Sequence, residues 1–203
     1  MDLKGKRIIL ASNSPRRKEL LSGLNIDFEI DTENYFEESF GPEVPYDEVP
    51  RRMAEGKSHG FHRPLADNEI LITADTMVIL PETPGRPGEI LGKPKDRDDA
   101  VRMLRDLSGR EHAVVTAVTL RDTHRMHTFS VSTEVRFGTL TDEMIEWYVD
   151  HCAPLDKAGA YGIQEWIGYV GIRGIDGAYW NVVGFPTHRF YQELLAFIGT
   201  ETA

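Results

Sequence analysis

The run Glu69-Ile70-Leu71-Ile72-Thr73-Ala74-Asp75-Thr76-Met77-Val78-Ile79-Leu80 is the strongest strand signal in the chain and does most to limit its fold. It is rich in aliphatic and β-branched side chains and contains neither Gly nor Pro, so it reads as one long strand. Asp75 interrupts it, on the face that period-two alternation gives to Leu71, Thr73 and Met77. An unpaired carboxylate in such surroundings is costly or becomes neutral. Asp75 therefore needs a cation, a metal or strong donors. Two readings fit: a metal ligand or general base at a strand end, or a structural salt bridge or turn residue.

The rest of the chain supplies helices around such a strand. Residues 7–11 and Phe28-Glu29-Ile30 read as strands. Between them Ser14 suits an N-cap and Pro15 the first helical position, with Arg17, Leu20, Leu21 and Leu24 at helical spacing and Gly23 as the stop. Residues 31–44 are acidic and aperiodic, a loop. Val49, Met53 and Lys57 recur every four residues in a helix over 46–62. Residues 81–89, rich in Pro and Gly, turn the chain toward a short strand at Ile90-Leu91. Helices follow over 96–107, from Thr141, and over 186–197; 112–120 and 129–137 alternate as a strand pair. Residues 154–164 read as a loop, and 166–175 and 178–184 as two short strands. Gly168, Gly171, Gly174 and Gly177 read as tight strand turns. Strands and helices alternate early and late with a β-rich middle, which predicts an α/β protein with a mixed sheet, as one domain over 1–203.

Arg16 and Arg17 fall in the first turn of the first helix, where the backbone already presents partial positive charge and unpaired N–H groups. An anion among them relieves the conflict, and helix N-termini are ready phosphate sites. Lys57, Lys93 in Gly92-Lys93-Pro94 and Lys157 in Asp156-Lys157-Ala158 are either surface charges or, together with the arginines, ligands of a triphosphate. Glu37 and its neighbour Glu38 are either a solvated face or, with Asp75, a hard oxygen site for Mg²⁺ or Mn²⁺.

The net charge of −10 argues against nucleic-acid polymers and anionic membranes as partners. No apolar run approaches the roughly 20 residues of a spanning helix. The one cysteine, Cys152, rules out an intrachain disulfide, fits a reducing cytoplasm and reads as an inert thiol. The seven histidines, including the pairs His59/His62 and His124/His127, show no metal signature. Walker A, nucleophile-elbow and dinucleotide patterns are absent.

Five blocks in order resemble the Maf-type nucleoside triphosphate pyrophosphatases: Leu10-Ala11-Ser12-Asn13-Ser14-Pro15-Arg16-Arg17-Lys18-Glu19-Leu20-Leu21, Ala74-Asp75-Thr76, Leu91-Gly92-Lys93-Pro94, Met103-Leu104-Arg105-Asp106-Leu107-Ser108-Gly109, and Pro154-Leu155-Asp156-Lys157-Ala158-Gly159-Ala160-Tyr161-Gly162-Ile163-Gln164. The resemblance implies an inosine-triphosphatase-like fold, with a mixed, strongly curved central sheet flanked by helices and two lobes around a cleft. It implies hydrolysis of a nucleoside triphosphate to monophosphate and pyrophosphate with a divalent metal cation, Mg²⁺ or Mn²⁺. Asp75 matches the proton acceptor, Arg16 and Arg17 the phosphate-contacting pair, Ser12 the strand-to-helix turn, Glu37 the loop glutamate, and Lys57 and Lys93 the pocket lysines. Arg17, Thr76 and Gln164 resemble the dTTP/UTP branch, which extends to modified uridine triphosphates and to clearing non-standard nucleotides. Glu165 and Trp166 depart from the family's usual glycine, and the Pro81–Gly88 loop is longer than usual. The alternative is a nucleotide-binding regulator of septum formation or cell division that does not hydrolyse. A homodimer is the prior for assembly.

Overall fold

The computed structural model describes residues 3–41, 43–84 and 88–199. In chain order its elements are β1 (Arg7–Leu10), α1 (Pro15–Ser22), β2 (Phe28–Ile30), α2 (Val49–His59), β3 (Glu69–Leu80), β4 (Glu89–Leu91), α3 (Arg97–Leu107), β5 (Glu111–Arg121), β6 (Met126–Phe137), α4 (Asp142–Cys152), α5 (Trp166–Gly171), β7 (Ile172–Asp176), α6 (Tyr179–Val183) and α7 (Thr187–Phe197). Two short 3₁₀ turns, Pro154–Asp156 and Ala158–Ala160, lie between α4 and α5. The chain forms two compact units, and β3, β5 and β6 contribute residues to both. It is a mixed α/β protein whose sheet is flanked by helices, as the alternation predicts.

The first unit takes residues 1–75, 116–131 and 184–203, of which 1, 2, 42 and 200–203 lie outside the described residues. Its strands β2, β1 and β3 run parallel, with Ile8 opposite Phe28 on one side and opposite Ile70 on the other. The run that opens β3 is apolar on successive positions because both of its faces are covered. Ile70, Ile72 and Ala74 join Ile8, Leu10, Leu21, Phe185, Phe190 and Leu194 in one core. Leu71 packs with Ile9 and Phe61 on the opposite face. That second face carries α2: Thr73 Oγ1 donates to the Ala54 carbonyl at 2.7 Å. Asp75, two residues on, has the same parity and meets α2 one turn later.

The second unit takes residues 76–115 and 132–183. Here β4 pairs antiparallel with β3, Val78 opposite Leu91, and β7 pairs antiparallel with β6. Helix α3 buries Ala100, Val101, Leu104 and Leu107 and packs against α4 and the two 3₁₀ turns. The backbone N–H of Gly159 donates to the Gly92 carbonyl at 3.0 Å, tying the 154–164 segment to the Gly92-Lys93-Pro94 turn.

Ser14 and Thr141 cap their helices as expected, and Asp96, expected as the first residue of its helix, is its cap. Ser14, Asp96 and Thr141 each accept a backbone N–H from three residues on. Helix α2 is shorter than the expected 46–62, because Gly60 ends it and Phe61 is drawn into a bridge with Asn34. The two strands expected over 166–175 and 178–184 are a correction. Only Ile172–Asp176 is a strand, and Trp166–Gly171 and Tyr179–Val183 are helical. A tight local fold at α5 and tertiary bonds at α6 override their β-favouring aromatic and Val content. At Gly168 a Cβ would stand 1.8 Å from the Ile163 carbonyl oxygen, so the chain folds tightly back there. The buried Asn181 amide donates to the Val114 carbonyl at 3.0 Å and to Thr133 Oγ1 at 3.1 Å, holding α6 as a turn against β5 and β6. Gly168 and Gly171 thus belong to α5 and Gly174 to β7. Gly177, at φ 125°, is the one of the four that makes a turn after a strand. Part of the expected 81–89 loop, residues 85–87, lies outside the described residues. No helix among the described residues is long and apolar enough to cross a membrane.

Candidate active site

Within the first unit, the end of β1, the start of α1, the last residues of β3 in that unit and the last turn of α2 converge on Asp75 and Arg17. Ser14 caps α1, and Pro15 occupies a position whose missing N–H costs nothing. The first turn of α1 holds no acidic residue. Arg16 and Arg17 therefore sit with the positive helix end, as the sequence implies. Arg17 is oriented by backbone carbonyls: its Nε donates to Gly184 O at 3.0 Å and its Nη1 to Ala74 O at 3.0 Å. The same Nη1 reaches Ser12 Oγ at 3.3 Å, and Ser12 Oγ also accepts the Ser14 N–H at 3.3 Å. Burial pushes the Arg17 guanidinium down from its ordinary value, opposed by Asp75. It remains a cation at any working pH.

Asp75 is 6% exposed. Lys57, one turn beyond Ala54 on α2, sets its Nζ 2.6 Å from Asp75 Oδ1 and 3.0 Å from Glu38 Oε1. Burial raises the Asp75 carboxyl above the ordinary aspartate value, against the pull of the Lys57 and Arg17 charges. Asp75 Oδ2 is buried and has no hydrogen-bond partner. One Asp75 oxygen is thus in a salt bridge with Lys57, and the other is a buried acceptor with no hydrogen-bond partner.

The acidic loop is fastened to α2. Asn34 Nδ2 donates to the Lys57 carbonyl at 2.6 Å, and Asn34 Oδ1 accepts the Phe36 N–H at 2.9 Å. The Phe36 ring lies on Gly56, where a Cβ would come within 2.3 Å of it. These anchors bring Glu38 to Lys57, while Glu37 is exposed on the same loop. Asn34 and Phe36 are missed by sequence reasoning, because nothing local marks a polar-loop Asn or Phe as an anchor.

Among the described residues no three His, Cys, Asp or Glu side chains are grouped to hold a metal. Asp75 with one loop carboxylate offers a smaller set. Hard oxygens and an orphaned buried carboxylate oxygen suit Mg²⁺ or Mn²⁺, which bind through one or two carboxylates plus substrate phosphates. The residues fit such an ion. His62 bonds Asp31 and His127 bonds Glu193 instead.

Three predicted site residues belong to the second unit. Thr76 continues β3, Lys93 is exposed on its Gly-Pro turn, and Gln164 is half-buried with its Oε1 enclosed and without a partner. Lys157 is buried and spends its charge on Asp156 at 2.7 Å and Glu165 at 3.1 Å. That neutralisation leaves it poorly suited to a phosphate. Burial and the Glu165 carboxylate push the Cys152 thiol up, against a nucleophilic role.

The chain is 47% identical to the dTTP/UTP pyrophosphatase of Phocaeicola vulgatus over 193 residues, covering 95% of this chain and 97% of that one. It is 46% identical to the dTTP/UTP pyrophosphatase of Porphyromonas gingivalis over 198 residues (97% and 96% covered). The corresponding figure for the Bacteroides thetaiotaomicron protein of the same name is 45% over 188 residues (93% and 94%). A solved structure of the Staphylococcus aureus Ham1 protein aligns with a TM-score of 0.44 at 14% identity, over 65% of this chain and 72% of that one. The sequence model of the Maf-like proteins matches residues 7–197, and with relatives this similar along nearly its whole length the chain belongs to the Maf-like family.

Proposed function

We propose that this chain, acting as one catalytic domain over 1–203, hydrolyses dTTP, UTP and modified uridine triphosphates to the nucleoside monophosphate and pyrophosphate. Its relatives are named for pyrophosphatase activity on dTTP and UTP. The observation that carries it to this chain is Asp75 Oδ2, a buried carboxylate oxygen with no partner beside two anchored cations, Lys57 and Arg17. A pocket that only bound an anion would gain nothing from a buried carboxylate oxygen left without a partner, which costs stability.

Arg16, Arg17, Ser12 and the first turn of α1 hold the triphosphate, with Arg17 pre-set by the Ala74 and Gly184 carbonyls so that little order is lost on binding. Asp75 accepts the proton of the water that attacks the α-phosphorus. Its raised pKa strengthens it as a base. Lys57 and Lys93 neutralise charge that develops on the leaving pyrophosphate. Asp75 and a loop carboxylate, Glu37 or Glu38, would hold a Mg²⁺ or Mn²⁺, which would supply further neutralisation of phosphate charge. Thr76 and Gln164 set base preference: one amide carries an acceptor and a donor, matching the N3–H and O4 edge of uracil and thymine.

Asp75→Asn keeps the shape and removes the base. Pyrophosphate release from dTTP should fall by at least about a thousandfold while the variant stays folded and still binds dTTP. A variant that retains turnover sinks the assignment. A wild-type protein that binds dTTP tightly without turnover would favour a non-hydrolysing regulator.

A further inference from the structure

Lys57 faces two demands that one ammonium does not meet at once. In the proposed reaction it neutralises the leaving pyrophosphate. In the structure its charge is already spent: Nζ stands 2.6 Å from Asp75 Oδ1 and 3.0 Å from Glu38 Oε1. The same argument makes Lys157, paired with Asp156 and Glu165, poorly suited to a phosphate. Lys57 differs in what it pairs with, because Asp75 and Glu38 are carboxylates that would hold a divalent cation. The Glu38 charge also reaches Asp75, where it adds to the upward push on the carboxyl. The ammonium therefore bridges two acids that otherwise repel each other.

Asp75 presents no open oxygen beside this ammonium. Oδ2 is enclosed without a hydrogen-bond partner, and Oδ1 is held by Lys57. A second cation on the same carboxylate would meet the ammonium charge at close range. Lys57 can leave without disturbing α2. Its backbone is fixed in the last turn, where its carbonyl accepts Asn34 Nδ2 at 2.6 Å. Its ammonium ends a flexible four-carbon stem, and the side chain is 20% exposed. We propose that Lys57 is an exchangeable counter-ion: it yields Asp75 and Glu38 to a divalent cation and turns its freed charge to the substrate phosphates. The inference rests on the pyrophosphatase reading above, and it makes cation binding the event that arms Lys57.

The test needs no turnover. Wild-type protein is treated with acetic anhydride with and without Mg²⁺, and acetylation is read residue by residue by peptide mass spectrometry. Mg²⁺ should raise acetylation of Lys57 about tenfold and leave the exposed Lys95 unchanged. Lys57→Met removes the internal competitor. Mn²⁺, followed by electron paramagnetic resonance without nucleotide, should bind this variant about tenfold more tightly than wild type. A lysine that only braced the fold would lower the thermal midpoint on substitution and leave Mn²⁺ affinity unchanged. Acetylation of Lys57 that is indifferent to Mg²⁺ overturns the exchange, as does a folded Lys57→Met that binds Mn²⁺ no more tightly. The wild-type measurement decides alone if the variant does not fold. Either failure leaves the pyrophosphatase reading standing. Wild-type protein that releases no pyrophosphate from dTTP overturns that reading, and the phosphate task of Lys57 with it.

Discussion

Glu69 and Asp75 lie on the same strand, both buried, and their surroundings push them in opposite directions. Glu69 takes two hydrogen bonds from Arg63, at 2.8 and 3.2 Å, and one from the Ala66 N–H at 2.9 Å. Arg7 adds a charge 3.6 Å away. The Arg63 hydrogen bonds, chiefly, hold its carboxyl below the ordinary glutamate value of 4.5. Asp75 has a lysine on one oxygen and nothing on the other, and is pushed up. The first carboxylate is fully satisfied by its partners, and the second is the one to which catalysis is assigned in the proposed reaction. Because the folded-state pKa of Glu69 is depressed, its contribution is complete above about pH 4.5 and is lost as the pH falls through the folded value. Glu69→Gln should therefore cost about 2 kcal/mol near neutral pH. Urea unfolding across pH should show that deficit narrowing in acid; a pH-independent deficit would place the loss elsewhere. The β3 run announces that Asp75 is anomalous, but its partner comes from α2, remote in sequence. The sequence alone therefore does not separate a salt bridge from a general base, because Lys57 is 18 residues away in the chain.

At the scale of elements, local chemistry made some boundaries legible and hid others. Ser14-Pro15, Asp96 and Thr141 carry their caps in the adjacent sequence, so α1 and α4 begin where expected and α3 within one residue of it. The segment after Gln164 departs from its β-like composition for two reasons: a close local approach of the Ile163 carbonyl to Gly168, which only glycine allows, and the tertiary bonds of Asn181 to β5 and β6. The acidic loop is similar. Its composition is plain, but which glutamate reaches Lys57 depends on Asn34 and on the Phe36 ring seated over Gly56. Gly56→Ala tests that seat. Alanine favours the helix by about 1 kcal/mol, yet its Cβ would displace the ring and with it the glutamates. The Mn²⁺ concentration giving half-maximal activity should rise about tenfold. If the thermal midpoint rises and the metal requirement is unchanged, the Phe36 contact plays no part in placing the loop.

At the scale of the whole molecule, β3 links the two units, and the change from one to the other falls between Asp75 and Thr76. The first unit carries the predicted phosphate and proton chemistry: Ser12, Arg16, Arg17, Lys57, Asp75 and the loop acids. The second carries Thr76, Lys93 and Gln164, the proposed base and leaving-group contacts. Alternating patterns in the sequence predict the α/β class, whereas the division into units reflects packing that no local pattern encodes. In the proposed reaction water attacks the α-phosphorus and pyrophosphate leaves intact. Incubating the protein with dTTP and Mg²⁺ or Mn²⁺ in ¹⁸O-labelled water tests it directly. Labelled dTMP and unlabelled pyrophosphate should form in equal amounts. Orthophosphate as the product, or label recovered in pyrophosphate, would contradict it.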